Sequence, residues 1–422
     1  MNSFLECCFG RYLLFISASK QQTGILRVRQ NAPNPAKMSF LCKVARFWCC
    51  SLLAFSVFAS ISWAGPKFET TAPHAILMDY ATGTVLFEKN SHVPAPPASL
   101  SKLMTAYMTF DALKDGILAF DDKLIVSEKA WRMGGSKMFV EVDKQVSVED
   151  LLRGVIVQSG NDACIVLAEG IAGSEDNFAD LMNEKAMELG LLDSIFQNST
   201  GWPHPEHQMS AFDIAILTDR IVRDFPDFFP LFAEKEFTYN EIRQANRNPL
   251  LYKDTGVDGM KTGHTREAGY GLATTALRND RRLIAVVTGF DSASQRASEA
   301  ERLLNYGFRQ FSNYELFLEG EVVINGDVWL GKTSKIGFVL ENDLTIVLAR
   351  STRDKLKVSV IYDSPIPAPI SAGMQVAKLV VEAPGFETME IPLKAQNSVE
   401  LAGPIRRLSG ALSYMIFGAA DD

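Results

Sequence analysis

The chain has 422 residues, of which 47% are hydrophobic and 22% are charged. This composition is typical of a globular protein with a sizeable core, and it excludes a predominantly disordered chain. The formal net charge of −8 at pH 7 argues against nucleic acid as a partner.

The first 64 residues have the features of a leader. Lys43 and Arg46 precede an almost wholly apolar or small run over 47–61, which ends in Ser62-Trp63-Ala64. A basic lead, an apolar body too short to span a membrane comfortably and a small-x-small cleavage site predict a secretory signal peptide. The signal begins at Met38, so residues 1–37 are interpreted as an upstream-start artefact, with an extended leader as the alternative. An uncleaved signal anchor is the alternative for the signal itself.

Removal of the predicted leader would change the net charge and the number of cysteines of the chain. Residues 1–64 carry seven Lys or Arg and one Glu, so their removal would change the net charge from −8 to −14. Five of the six cysteines also precede the cleavage site, which leaves Cys164. A single thiol cannot form an internal disulfide, and its apolar surroundings predict a packing role for Cys164.

The next elements are a hairpin and a helix. Alternating residues over 74–80 and 84–88 predict two strands joined at Ala81-Thr82-Gly83. Three prolines then impose an extended approach to Ser99, after which apolar residues recur at helical spacing until about Gly116. Ser99 and Lys102 would share one helical face. A lysine whose pKa is lowered by burial can remove the proton of a serine nucleophile.

The chain then alternates between helices and strands. Helices are predicted over 148–158, 163–170, 177–191 and 211–225, strands over 236–239, 257–262, 271–277 and 283–289, and a closing helix over 296–310. Because strands lie at both ends with helices between them, we expect an α/β (α+β) domain. Its mixed antiparallel sheet would join the two ends, with helices on its faces.

The sequence pattern changes near residues 311–313, where short runs of alternating apolar and polar residues begin. They predict a small all-β sandwich-like or barrel domain. After Pro404, a helical stripe of Ile405, Leu408, Leu412, Met415 and Ile416 predicts an amphipathic helix on a membrane surface, with a helix docked on its own domain as the alternative. The predicted organisation is leader 1–64, first domain 65–311, β-rich domain 312–400 and tail 401–422.

Two further motifs could complete a site around Ser99. Ser159-Gly160-Asn161 lies between two helical segments, where a loop can present a hydroxyl and an amide to a cleft. Lys261-Thr262-Gly263 lies at the end of a strand, with Gly263 permitting close backbone approach and His264 directly after it.

The order and spacing of the three motifs resemble those of penicillin-binding proteins and related serine β-lactamases. The stretches 158–164, 246–248, 258–265 and 303–309 are similar to the low-molecular-mass D-alanyl-D-alanine carboxypeptidases of bacterial cell walls, of the peptidase S11 type. The resemblance covers essentially everything after Gly65. It implies a β-lactamase/transpeptidase-like first domain and an enzyme that needs no cofactor or metal.

The resemblance also implies roles for single residues. Ser99 would attack the carbonyl between the two terminal D-alanines, with Lys102 as general base. Ser159 would relay the proton to the leaving amine, and Asn161 would hold Lys102 and the substrate amide. The backbone N–H groups of Ser99 and His264 would bind the oxyanion.

The remaining implied roles concern the substrate. Lys261, Thr262 and Arg247 would bind its free carboxylate, with Arg296 as a further candidate. The implied partners are peptidoglycan stem peptides, β-lactam antibiotics and a membrane surface, and the expected location is the periplasm at the inner membrane.

Two rival functions remain open. A class A β-lactamase needs a glutamate on a loop before Lys261, and the corresponding loop, 200–207, lacks the Glu-x-x-x-Asn pattern of that family. A non-catalytic wall-binding or antibiotic-sensing module would be expected to lose at least one of the motif residues. His204 and His207 suggest a metal site, but the intervening proline spoils a helical pair and no third ligand is evident.

Overall fold

The computed structural model describes residues 10–16, 27–30, 68–405 and 408. The described residues divide into two compact units, one of Phe68–Phe311 and one that combines residues 10–16 and 27–30 with residues 312–405 and 408. The predicted signal peptide lies outside the described residues. So does most of the predicted C-terminal helix, of which Pro404, Ile405 and Leu408 are described and helical.

The strands, in chain order, are β1 Gly10–Ile16, β2 Arg27–Gln30, β3 His74–Asp79, β4 Val85–Lys89, β5 Lys123–Ile125, β6 Gln145–Ser147, β7 Glu236–Tyr239, β8 Ile242–Ala245, β9 Val257–Thr265, β10 Gly269–Arg278, β11 Arg281–Phe290, β12 Phe311–Phe317, β13 Val322–Trp329, β14 Lys335–Val339, β15 Leu344–Ala349, β16 Lys357–Ser364, β17 Ile366–Pro367, β18 Gln375–Glu382 and β19 Met389–Ala395. The α-helices are α1 Lys102–Lys114, α2 Glu128–Arg132, α3 Val148–Arg153, α4 Asn161–Ala172, α5 Glu175–Leu189, α6 Ala211–Asp224 and α7 Ala293–Gln310.

The Phe68–Phe311 unit is built on a five-stranded sheet in the order β4-β3-β11-β10-β9. Every neighbouring pair is antiparallel. The sheet therefore joins the beginning of this unit to its end, which confirms the prediction. Two short ribbons, β5–β6 and β7–β8, are separate from it.

The central strands are apolar because helices cover both faces of the sheet. Along β3, Ile76 and Met78 belong to the larger core, with α1, α4 and α6. The alternating residues Ala75 and Leu77 belong to a second core, with α7. The two-residue period of a strand thus places successive side chains in different cores.

Helix α1 differs from its prediction. An apolar stripe was expected, yet every residue of its first nine, 102–110, is buried. The helix contacts α4, α5 and α6, so its polar residues must find partners inside the core. Thr105 Oγ1 donates to the carbonyl of Ser199 at 2.6 Å, and Thr109 Oγ1 donates to the carbonyl of Thr105 at 2.8 Å.

Helices α5 and α7 begin two and three residues earlier than predicted. Each begins directly after a serine, Ser174 or Ser292, whose hydroxyl accepts a hydrogen bond from a backbone N–H three residues on. These are N-caps, and they begin a helix before its apolar periodicity becomes visible.

The second unit is all-β apart from a 3₁₀ turn, Arg350–Lys355, and the helical residues of the tail, within the described residues. Its main sheet has the order β17-β13-β14-β19-β18-β16-β1-β2, and β12 pairs with β15. Leu344, Ile346 and Leu348 of β15 share one core with Val358 and Val360 of β16. The two layers enclose an apolar interior, as in the predicted sandwich-like domain.

None of the helices in the described ranges is both long and apolar enough to cross a membrane.

Candidate active site

Ser99 and Lys102 meet at the beginning of the central helix. Ser99 lies in a 3₁₀ turn, Ala98–Ser101, that leads directly into α1; we call this the nucleophile turn. Lys102 Nζ lies 3.0 Å from Ser99 Oγ and also donates to the carbonyl of Thr200. The predicted pairing of hydroxyl and amine is therefore present in the structure.

The environment of Lys102 suits a general base. Its side chain is 1% exposed, and this burial lowers its pKa to about 8. Arg247 acts in the same direction, while Asp162 and Glu175 oppose it. With a pKa of about 8, roughly one amine in ten is neutral at pH 7, compared with about one in 3,000 at the ordinary lysine value.

Ser159 and Asn161 lie at the junction of two helices. A π-helical turn, Gly154–Gln158, extends α3, and Ser159 follows it in the left-handed region with φ of 63°. The Ser159 Oγ is buried and has no hydrogen-bond partner among the described residues. A buried hydroxyl without a protein partner is free to hydrogen-bond a substrate.

Asn161 lines the cleft beside Ser99, and its side chain contacts a loop that the implied role did not include. Its Nδ2 donates to the carbonyl of Gly134 at 2.8 Å, and its backbone N–H donates to that of Ser136 at 2.7 Å. No hydrogen bond joins Asn161 to Lys102 within the described part of the chain. The amide thus holds the 134–136 loop at the edge of the cleft, and the implied contact with Lys102 is not present.

Asp162 is a supporting residue that the sequence reasoning missed. Its buried carboxylate accepts from the backbone N–H groups of Met138, Phe139 and Val140 at 3.0, 2.9 and 3.2 Å. These bonds tie the loop over 134–140 to the beginning of α4. The available signal was an acidic residue that opens an otherwise apolar helix.

Lys261 and Thr262 lie on β9, the edge strand that faces the nucleophile turn, and both are buried. Lys261 Nζ donates to the carbonyl of Thr262 at 3.1 Å. Burial holds the Lys261 pKa well below its ordinary value, and the neighbouring charges of Lys102 and Arg247 lower it further. The positive charges of the two buried amines repel each other, so protonation of one makes protonation of the other less favourable.

Gly263 and His264 complete this strand. A Cβ at Gly263 would lie 2.9 Å from the carbonyl oxygen of Pro97 and 3.1 Å from Leu100 Cγ. Glycine therefore allows β9 to approach the nucleophile turn closely. His264 is exposed, and its ring stacks on Tyr270 with 3.8 Å between the ring centroids.

The two predicted arginines occupy different places. Arg247 Nη1 donates to Ser136 Oγ at 2.6 Å, at the edge of the cleft. Arg296 is 6% exposed, and its guanidinium lies over the Tyr270 ring, 5.8 Å from the centroid. The Arg296 Nε has no partner among the described residues. Arg296 therefore contacts the ring of Tyr270, which in turn stacks on His264.

A loop over 198–207, which we call the cover loop, closes the site over Lys102. The Asn198 Oδ1 accepts from the backbone N–H groups of Thr200 and Trp202 at 3.2 and 3.0 Å. This turn aims the Thr200 carbonyl at the Lys102 amine. The sequence reasoning used this loop to argue against a β-lactamase and to weigh a metal site, and a Gly-containing loop gives no signal that it binds a lysine.

Gly201 allows the cover loop to contact the nucleophile turn. Its φ is +75°, and a Cβ there would lie 1.8 Å from the carbonyl oxygen of Ala98. We expect Gly201→Ala to destabilise the protein by several kcal/mol and to abolish acylation of Ser99, since backbone atoms cannot move aside as a side-chain end can. Thermal unfolding and acylation by a labelled penicillin would measure both effects.

Gly83→Ala is the matched control, because Gly83 has a similar φ of +70° but no heavy atom within 4 Å of its Cβ position. Gly83→Ala should destabilise the protein by about 1 to 2 kcal/mol, because alanine disfavours the left-handed backbone conformation. It should leave acylation unchanged. Equal effects of the two substitutions would contradict the steric explanation.

The open face of the site is a cleft of about 320 Å³. Its lining residues are Ser99, Gly135, Ser136, Asn161, Thr200, Gly201, Trp202, Pro203, His264, Thr265, Arg266 and Glu267. The nucleophile therefore opens on a space bounded by the predicted motifs and by Trp202, a residue that the motifs did not indicate.

The structure also places Cys164 and the two histidines of the suggested metal site. Cys164 is fully buried in the core, and burial raises its pKa to about 12, in agreement with a packing role. No group of three or more His, Cys, Asp or Glu that could hold a metal occurs in the described ranges. His207 is buried against Ser101, whereas His204 is exposed.

The sheet, the buried lysine beside Ser99 and the unpaired Ser159 hydroxyl define a serine acyl-transfer enzyme of the β-lactamase/transpeptidase class. Residues 61–292 match the family described as D-alanyl-D-alanine carboxypeptidase, peptidase S11, and residues 311–401 match the C-terminal domain of penicillin-binding protein 5. The chain belongs to this D-alanyl-D-alanine carboxypeptidase family.

Individual relatives extend over most of the chain. It is 37% identical over 370 residues to the D-alanyl-D-alanine carboxypeptidase DacA of Haemophilus influenzae, covering 85% of this chain and 94% of the relative. The crystal structure of penicillin-binding protein 5 from that organism has a TM-score of 0.72 and 36% identity over 79% of this chain and 99% of its own. The ampicillin-bound form of Listeria monocytogenes penicillin-binding protein D2 has a TM-score of 0.53 and 29% identity, over 58% of this chain and 100% of its own.

Proposed function

We propose that the protein is a serine-type D-Ala-D-Ala carboxypeptidase that removes the terminal D-alanine from peptidoglycan pentapeptide stems. The observation that carries the proposal is the buried Lys102 amine 3.0 Å from Ser99 Oγ, in a chain whose relatives are D-alanyl-D-alanine carboxypeptidases. Release of D-alanine from a diacyl-Lys-D-Ala-D-Ala tripeptide tests it, and the absence of release would contradict it.

Acylation begins with proton transfer from Ser99. The neutral Lys102 amine accepts the hydroxyl proton while Ser99 Oγ attacks the carbonyl between the two D-alanines. The carbonyl oxygen becomes an oxyanion that the backbone N–H groups of Ser99 and His264 would bind. The first turn of a helix has N–H groups without intrahelical acceptors, and an edge strand has N–H groups that point away from its neighbour.

Collapse of this intermediate breaks the peptide bond. The leaving nitrogen must receive a proton to depart as D-alanine, and Ser159 is the group proposed to pass it from the protonated Lys102. Its buried hydroxyl has no competing partner among the described residues. The products are free D-alanine and an ester between Ser99 and the shortened stem.

Recognition of the substrate terminus requires positive charge. The free carboxylate of the terminal D-alanine would be bound by Arg247, Lys261 and the Thr262 hydroxyl, with Arg296 as a further candidate beside Tyr270. A bound carboxylate would also favour the protonated form of Lys261, offsetting the burial that lowers its pKa.

Water then hydrolyses the ester and restores Ser99. The strained amide of a β-lactam would enter the same acylation step, and the ampicillin-bound relative supports this extension. For the class A β-lactamase alternative, the loop before Lys261 lacks the Glu-x-x-x-Asn pattern of that family, and its glutamate, Glu206, is exposed. Intact Ser99, Lys102, Ser159 and Lys261 count against a non-catalytic module.

We further propose that the protein acts in the periplasm, attached to the inner membrane by its tail. The support is the signal-like segment over 38–64 and the apolar stripe after Pro404.

Deletion of residues 404–422 should move the protein from the membrane fraction to the soluble fraction, measured by cell fractionation and immunoblotting. A single change on the apolar stripe, Leu412→Asp, should act in the same direction, because it places a charge in the acyl region. Ser413→Asp, on the polar side, is its control. An unchanged distribution after the deletion would rule out the anchor.

A further inference from the structure

The steps proposed above assign nothing to one buried histidine near the site. The role inferred for it here rests on the proposed function. His207, at the end of the cover loop, is 3% exposed. Its Nδ1 lies 3.2 Å from the backbone N–H of Gln197 and must accept that hydrogen bond. The ring proton therefore sits on Nε2, which donates to Ser101 Oγ at 2.8 Å.

Ser101 connects this histidine to the catalytic pair, because it directly precedes Lys102 in the nucleophile turn. The cover loop thus contacts the nucleophile turn and Lys102 through three of its residues. Thr200 accepts from the Lys102 amine, Gly201 packs on the Ala98 carbonyl and on Ser101 Oγ, and His207 bonds Ser101. His207 supplies the side-chain hydrogen bond at the far end of the loop.

We propose that His207 is a positioning residue that fastens the cover loop to Ser101 and so keeps water away from the Lys102 amine. The loop then controls how readily that amine accepts the Ser99 proton. His207 does not touch the reacting atoms, so its effect passes through the loop.

The consequence is a change in the pH dependence of acylation. Burial is the largest cause of the lowered Lys102 pKa, so water admitted by a loosened loop would raise that pKa toward 10.5. The charged and titratable groups facing the amine lie on other elements and stay in place: Asp162 and Cys164 on α4, Glu175 on α5, Lys261 on β9 and Arg247 after β8.

His207 itself does not titrate in the relevant range. Burial lowers its pKa to about 4, with smaller contributions in the same direction from His204 and Lys102. It is therefore neutral between pH 6 and 10. Any shift of the profile in that range would come from the lysine pair, not from the imidazole.

Two substitutions separate the two hydrogen bonds of the ring. His207→Asn keeps an acceptor near the Nδ1 position for Gln197 but is too short to reach Ser101. His207→Gln carries an amide N–H near the Nε2 position and can still donate to Ser101. His204→Asn is the matched control, because it changes an exposed histidine of the same loop.

The experiment measures the rate of Ser99 acylation by a labelled penicillin, in single turnover on the purified full chain, from pH 6 to 10. We expect His207→Asn to move the rising limb upward by about one pH unit, with about tenfold slower acylation at pH 7 and recovery toward the wild-type rate at pH 10. His207→Gln should restore most of the midpoint, and His204→Asn should match the wild type.

Ser101→Ala removes the same hydrogen bond from the other side and should reproduce the shift, which keeps the test available should His207→Asn fail to fold. A wild-type midpoint in the variants, or a loss equal at every pH, would overturn the inference. Absence of labelling in the wild type would instead contradict the proposed function on which it rests.

Discussion

Ser99→Ala is expected to abolish both D-alanine release and labelling by penicillin. The methyl group cannot form the ester, and no other hydroxyl is held by the Lys102 amine, whose hydrogen bonds go to Ser99 and Thr200 within the described residues. The expected loss of turnover exceeds about 10⁴-fold, since removal of a covalent nucleophile leaves only binding and oxyanion stabilisation. D-Alanine release from diacyl-Lys-D-Ala-D-Ala and gel detection of a labelled penicillin measure it.

The matched control is Ser292→Ala, which removes the hydroxyl that caps α7. That change should cost about 1 kcal/mol of stability and leave the turnover unchanged. Undiminished D-alanine release by Ser99→Ala would sink the assignment of the nucleophile, whatever the behaviour of the control.

Lys102→Met is expected to have the second large effect, a slower acylation of Ser99. The thioether side chain has a similar length and suits the buried position, but it cannot accept the Ser99 proton. Acylation should fall by about 10² to 10⁴-fold, the usual contribution of a general base. Stopped-flow acylation by a chromogenic β-lactam gives the rate.

The wild-type pH profile belongs to the same prediction. Acylation requires the neutral amine, so its rate should rise about tenfold per pH unit below the Lys102 pKa of about 8 and level off above it. In Lys102→Met this limb should disappear. The control Lys114→Met, at the exposed end of the same helix, should retain the limb. A Lys102→Met profile identical in shape to that of the wild type would show that another group supplies the base.

The site contains several buried polar groups that destabilise the folded protein. Lys102 and Lys261 are both buried, and each pKa is lowered. Ser159 Oγ and Arg296 Nε are buried without partners among the described residues. Such groups destabilise the native state and persist where the surrounding structure holds them for function. The apolar cores on the two faces of the sheet supply the compensating free energy.

Much of the site could be predicted from the sequence. The spacing of Ser99 and Lys102 was sufficient because three residues span one turn of helix, and the local geometry follows from the chain itself. The order of the Ser159 and Lys261 motifs indicated the family, and alternating residues located β3, β10 and β11. The fold class followed from strands at both ends with helices between.

Tertiary structure alone decided the rest, because the contacts join residues far apart in the chain. The Thr200 carbonyl reaches Lys102 from 98 residues away, and His207 reaches Ser101 across 106. The Asn161 Nδ2 donates to the carbonyl of Gly134, and no hydrogen bond joins its side chain to Lys102 within the described residues, an arrangement that no spacing encodes. The sequence by itself indicated the candidate residues and the family. Burial, which depends on how the whole chain packs around α1, decided that the pKa of Lys102 is lowered, as a general base requires.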